Sequence, residues 1–86
     1  MKQPGSSDFE VKVLTGGVQV TFKPTFSYYW FDRLAEPNEI KKLGPISPSA
    51  RIRHMGWRGD TEDYSADDVA LMAYRLASAA AVEAYR

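Results

Sequence analysis

From Phe9 to Lys23 the chain alternates. Phe9, Val11 and Val13 interleave with Glu10, Lys12 and Leu14, and Val18, Val20 and Phe22 interleave with Gln19, Thr21 and Lys23. A period of two marks half-buried strands. Gly16-Gly17 between the runs suits a two-residue hairpin turn, because glycine accepts positive φ at both positions. With Thr15 opposite Val18, Val13 faces Val20, Val11 faces Phe22 and Phe9 faces Pro24. The other side then pairs Leu14 with Gln19, Lys12 with Thr21 and Glu10 with Lys23, so the hairpin has a dry face and a wet face.

Pro24 offers no ladder donor, so the second strand ends there and Pro24-Thr25 turns the chain. Residues 26–33 have strong β propensity and carry aromatics on both alternating sets. If Tyr29 and Phe31 point into the core, Tyr28 and Trp30 point out, on the side of Lys12, Thr21 and Lys23. Pro37 suits a first helical turn, Gly44 a C′ position and Pro45 a stop, which predicts a short helix over residues 37–43 anchored by Ile40 and Leu43. Residues 50–55 alternate again, with Ile52 and His54 against Arg51, Arg53 and Met55, as a fourth strand would.

From Tyr64 to the end the pattern changes to a helical one. Ser65 suits the N-cap, Asp68 the matching position of a capping box, and Tyr64 with Val69 a hydrophobic staple. Asp67 and Asp68 add negative charge where the helix dipole favours it. The run is rich in alanine and lacks Gly and Pro, so helix propensity is high throughout. Val69, Met72, Leu76 and Ala80 form the expected core stripe, with Ala70, Ala73, Ala77, Ala81 and Ala84 as a smooth strip beside it. The opposite side carries Leu71, Tyr74, Ser78, Val82 and Tyr85. A helix so apolar around its circumference has more to cover than one sheet face can reach.

The expected fold is α+β: a mostly antiparallel four-stranded sheet in the order β-β-β-α-β-α, with the long C-terminal helix across one face. Residues 1–8 read as a flexible tail and residues 9–86 as a single domain, an economical size for a chain of 86 residues. Only the adjacency of the first two strands follows from the sequence.

Charge and candidate chemistry narrow the functional classes. Eleven basic residues balance eleven acidic ones, so no global field draws the chain to nucleic acid or anionic lipid. There is no cysteine, hence no disulfide, thiol nucleophile or thiolate metal site. No signal peptide or membrane-length apolar run occurs, so a cytoplasmic location without membrane contact is the expectation. No phosphate-binding glycine loop is present. His54, the one imidazole, has no serine or cysteine partner in a recognisable catalytic pattern. Residues 60–63 are acidic but lack calcium-loop spacing, and Arg58-Gly59-Asp60 is a tripeptide too short to carry weight. No catalytic residues, metal site or cofactor are therefore expected.

Two surfaces are left as candidates. The first is the back of the long helix, Leu71, Tyr74, Ser78, Val82 and Tyr85, which suits a protein partner or a homodimer and makes the chain a non-enzymatic interaction module, a modulator or inhibitor of a larger complex. The alternative is single-stranded nucleic acid held by Arg51, Arg53, Trp57 and Arg58, with Lys12, Lys23, Tyr28 and Trp30 as a sheet-face platform. The zero net charge and the five carboxylates among residues 60–68 weigh against that alternative, leaving the protein interface as the primary expectation.

Overall fold

The computed structural model describes residues 3–54 and 64–85, with the side chain of His54 excepted. It is an α+β fold in which β1 (Phe9–Leu14), β2 (Gly17–Phe22), β3 (Ser27–Asp32) and β4 (Arg51–His54) form one antiparallel sheet in the order β1-β2-β3-β4. α1 (Pro37–Leu43) lies between β3 and β4, and α2 (Ala66–Ala84) packs across β1, β2 and part of β3. Strand order, open from the sequence, is a plain meander. None of the helices among the described residues is long and apolar enough to cross a membrane.

The hairpin keeps its expected faces but in a register shifted by two. Phe9 pairs with Phe22, Val11 with Val20, Val13 with Val18 and Leu14 with Gly17, so the turn is Thr15-Gly16. A shift of two preserves every inward and outward assignment because side chains repeat with period two. It does dissolve the expected Glu10–Lys23 pair: Glu10 faces Thr21, and Lys23 donates its backbone N–H to Asp8 at 2.9 Å. Among the described residues positive φ occurs at Phe26 and Gly44, so the reason for Gly17 is not turn conformation. A Cβ at Gly17 would lie 2.4 Å from the Phe31 carbonyl oxygen and 2.6 Å from the Trp30 ring. The close approach of Trp30 requires the glycine.

The core lies between the sheet's inner face and α2. Phe9, Val18, Val20, Phe22, Tyr29 and Phe31 from the strands meet Val69, Ala73, Ala77 and Ala81 from the helix, with Ile46 at the side. The expected core stripe is thus displaced: Met72, Leu76 and Ala80 sit at its margin, half-buried, and the alanine strip is the line of contact. Small side chains let the helix axis come close to the sheet, and the larger ones then fill the flanks. Ser65 accepts from the Asp68 N–H at 3.4 Å, as its cap position predicts. Tyr64 stands edge-on to Phe22 at 5.0 Å.

α1 spans the expected residues, and its Gly44 takes φ 92° while donating to the Ile40 carbonyl at 2.8 Å. Its expected anchors do not anchor: Ile40 and Leu43 are exposed and no residue of α1 is buried. Ile46 does that work instead, fully buried and bridged to Arg33, with Ser47 N–H on the Asp32 carbonyl at 2.8 Å. Ahead of β1, Ser6–Asp8 form one 3-10 turn, Gly5 N–H donates to the Asp8 carboxylate at 3.0 Å, and Pro4 is buried.

Burial pushes the Tyr29 hydroxyl above its ordinary value of 10.0. The unfolded chain therefore loses this proton first. The stability held by the neutral phenol is complete below pH 10 and is lost as pH rises through the higher folded value. Urea midpoints measured between pH 9 and 11 should fall less steeply in Tyr29→Phe than in the native protein. Equal slopes would contradict that linkage.

Candidate nucleic-acid interface

The face of the sheet turned away from α2 is uncovered among the described elements, and strand pairing arranges its side chains in rows. Lys12, Gln19, Trp30 and Arg51 stand opposite one another across the four strands, and Glu10, Thr21, Tyr28 and Arg53 form the next row. Tyr28 and Trp30 are two residues apart on one face, hence about 6.7 Å apart along β3. Each has an arginine directly across from it on β4.

The two aromatic positions are held differently. Trp30 lies over Gly17, and its Nε1–H donates to Asp32 Oδ1 at 2.7 Å. The other Asp32 oxygen meets Arg51 Nη2 at 3.3 Å. Trp30, Asp32 and Arg51 are therefore one linked group, although an ion pair this exposed contributes at most about 1 kcal/mol. Among the described residues no such tie restrains Tyr28, and Arg53, Lys12 and Lys23 have no ion pair. Among the described residues, four cations on this face, Lys12, Lys23, Arg51 and Arg53, stand against three acids, Asp8, Glu10 and Asp32. Among the described residues this face thus carries a small positive excess.

The surface is shaped as well as charged. An open depression of about 520 Å³ is lined by Gln19, Tyr28, Trp30, Arg51, Ile52 and Arg53. A second, of about 450 Å³, shares Gln19 and Tyr28 with it and runs on past Lys12 and Thr21 to Lys23 and Phe26. Together they make one shallow trough crossing the strands.

Phe26, at its far end, belongs by β propensity to the start of β3. It sits instead in the β2–β3 turn, at φ 53° and 57% exposed. Its N–H donates to the Lys23 carbonyl at 3.4 Å, and a buried hydroxyl pair, Thr25 with Ser27 at 2.7 Å, braces the turn. An aromatic residue in the left-handed region costs on the order of 1 kcal/mol, and such outliers cluster at functional sites. Sequence reasoning gave no signal for Phe26, because the positive φ belongs to the turn and not to the residue type.

The helix-back candidates are divided by the fold. Leu71 and Val82 are each 48% exposed, three turns apart on the outer side of α2. Ser78 between them is half-buried. Tyr74 packs on Phe31 with ring centroids 5.8 Å apart. Tyr85 closes the helix end: its hydroxyl donates between the carbonyls of Leu14 and Gly17, the latter at 2.9 Å, and the Arg33 guanidinium lies 4.0 Å over its ring. Two of the five are thus already occupied within the chain. Trp57 and Arg58 lie outside the described residues. Comparison of the chain with protein-family models, curated proteins and solved structures gives no match.

Proposed function

We propose that this protein is a non-catalytic binding module whose working surface is the open sheet face, and that its ligand is single-stranded nucleic acid. The observation that carries the reading is the juxtaposition on one uncovered face of Tyr28 and Trp30 with Arg51 and Arg53 directly across from them. Aromatic faces stack bases without regard to sequence, and bases beside them neutralise phosphates. The trough gives a strand a path across β4, β3 and β2 toward Lys23 and Phe26. This reverses the ranking expected from the sequence. Tyr74 and Tyr85 are engaged within the chain, whereas the sheet-face residues are brought together.

Fluorescence anisotropy with a labelled oligodeoxythymidylate tests the reading. Lys12, Lys23 and Arg53, which make no ion pair among the described residues, give a slope of log K on log salt of about −2, so binding weakens roughly sixteenfold between 50 and 200 mM salt. Arg53→Ala should reduce that slope by about 0.7. Phe26→Gly should weaken binding severalfold while leaving stability unchanged or higher by up to about 1 kcal/mol, since glycine accepts the left-handed turn. Absence of binding at 50 mM salt, or affinity indifferent to both substitutions, sinks the proposal.

A second reading is favoured by Leu71 and Val82, whose exposure on the outer side of α2 suits a protein contact. It is compatible with the first, because the two surfaces lie on opposite sides of the sheet.

A further inference from the structure

The sheet ends at β1, and the open edge of that strand is patterned for a second copy of itself. Lys23 N–H donates to the Asp8 carbonyl, which makes Asp8–Lys23 a bonded pair. Bonded pairs alternate in an antiparallel ladder, so Glu10, Lys12 and Leu14 turn their backbone groups toward β2 while Phe9, Val11 and Val13 turn theirs outward. The Phe9 N–H is already held by the Ser6 carbonyl. What faces the edge is the Phe9 carbonyl together with both backbone groups of Val11 and Val13.

We propose that two copies of the chain join β1 to β1, antiparallel, about a twofold axis through Val11. Val11 then exchanges two hydrogen bonds with Val11 of the second copy, and each Val13 N–H meets the opposite Phe9 carbonyl. On the outer face this register sets Glu10 against Lys12 and Lys12 against Glu10, at unbonded positions where Cα atoms approach to about 4.5 Å. The neighbouring registers that keep the same backbone parity fail on charge. A slip of two one way sets Glu10 against Glu10, with Lys12 opposite Asp8, whose carboxylate is already held by the Gly5 N–H, and a slip of two the other way sets Lys12 against Lys12. The charges on β1 therefore select one register of a self-pairing.

The inner face agrees. α2 is centred on β2 and reaches β1 on one side and part of β3 on the other, where Tyr74 meets Phe31. Met72 and Leu76 occupy the other flank of the alanine strip, the side of β1, and are half-buried there. With strands about 4.8 Å apart, a helix centred near β2 stands about 14 Å from its symmetry mate, and Met72 and Leu76 lie on the flanks that border the space between the two helices. The two open sheet faces join in one eight-stranded surface with two troughs. The pairing is argued from β1 and α2 alone and holds whatever that surface binds.

Sedimentation equilibrium at about 100 µM tests it, with a mass of twice 9.7 kDa expected. Glu10→Lys and Lys12→Glu, made singly, should each weaken the dimer at least tenfold, and the double variant should restore it. Val11→Pro should give a folded monomer, because the Val11 N–H serves no bond within the sheet and edge strands tolerate proline. A native monomer at that concentration overturns the proposal. So does a dimer that survives both single charge reversals, or one disrupted by Leu71→Asp while indifferent to the β1 variants.

Discussion

Phe22→Ala is expected to destabilise the fold by about 3–5 kcal/mol, the range for deleting a fully buried phenylalanine side chain. Phe22 is 1% exposed and stands where three parts of the chain meet. Its ring is 4.9 Å from Phe9 on β1 and 5.0 Å from Tyr64, just ahead of the α2 cap, while its backbone pairs with Phe9 and Ser27. Truncation removes the apolar area, both ring contacts and the packing that ties the entry of α2 to the sheet. A domain of this length has a total stability of roughly 4–13 kcal/mol, so the loss takes a large share of it. Phe22→Leu keeps most of the volume and should cost no more than about 1.5 kcal/mol. Urea unfolding of the two variants measures the difference. An alanine variant within 1 kcal/mol of the native protein would mean that Phe22 is not the junction described.

The parts of this fold that were legible in the sequence are those governed by local periodicity and capping. Val11, Val13, Val18 and Val20 lie on the dry face because alternation fixes the faces under any even shift of register. α1 ends at Gly44 and α2 begins after Ser65 because caps and positive-φ positions are chemical requirements of helix ends. Alternation puts Tyr28 and Trp30 on the outer face with Lys12 only if Tyr29 and Phe31 point inward, and Tyr29 and Phe31 are the buried pair.

What could not be read depends on which residue approaches which from a distance. The hairpin register turned on Gly17, whose reason is a tryptophan thirteen residues later in the chain. Helical spacing puts Val69, Met72, Leu76 and Ala80 on one face, yet of these Val69 alone is fully in the core. Close packing on a sheet rewards small side chains at the line of contact, and Ala73 and Ala77, fully buried, take that place. The Asp32–Arg51 pair required strand order, which hydrophobic pattern alone does not supply. Tyr85 looked like surplus apolar surface and is instead a clasp between the end of α2 and the β1–β2 turn, a role set by its hydroxyl.

Gly17→Ala should lower stability by about 2–3 kcal/mol, a fall in melting temperature of roughly 10–20 °C for a domain of this size. The added methyl would stand 2.4 Å from the Phe31 carbonyl oxygen, an atom of the β2–β3 ladder, and 2.6 Å from Trp30. Swinging the indole aside relieves only the second contact, so the strand pair itself must shift. Gly16→Ala is the matched control: nothing lies within 4 Å of its Cβ position, and a change within about 0.5 kcal/mol is expected. The damage should also reach function. Displacing Trp30 breaks its bond to Asp32, loosens the Asp32–Arg51 pair and reshapes the trough. Moving the Gly17 carbonyl disturbs the Tyr85 hydroxyl that pins the end of α2. Thermal melts, with oligonucleotide titrations well below the melting temperature, should therefore show Gly17→Ala impaired in both and Gly16→Ala in neither. Equal melting temperatures for the two would show that Trp30 does not need the space above Gly17, and the rigid placement of the binding face would lose its cause.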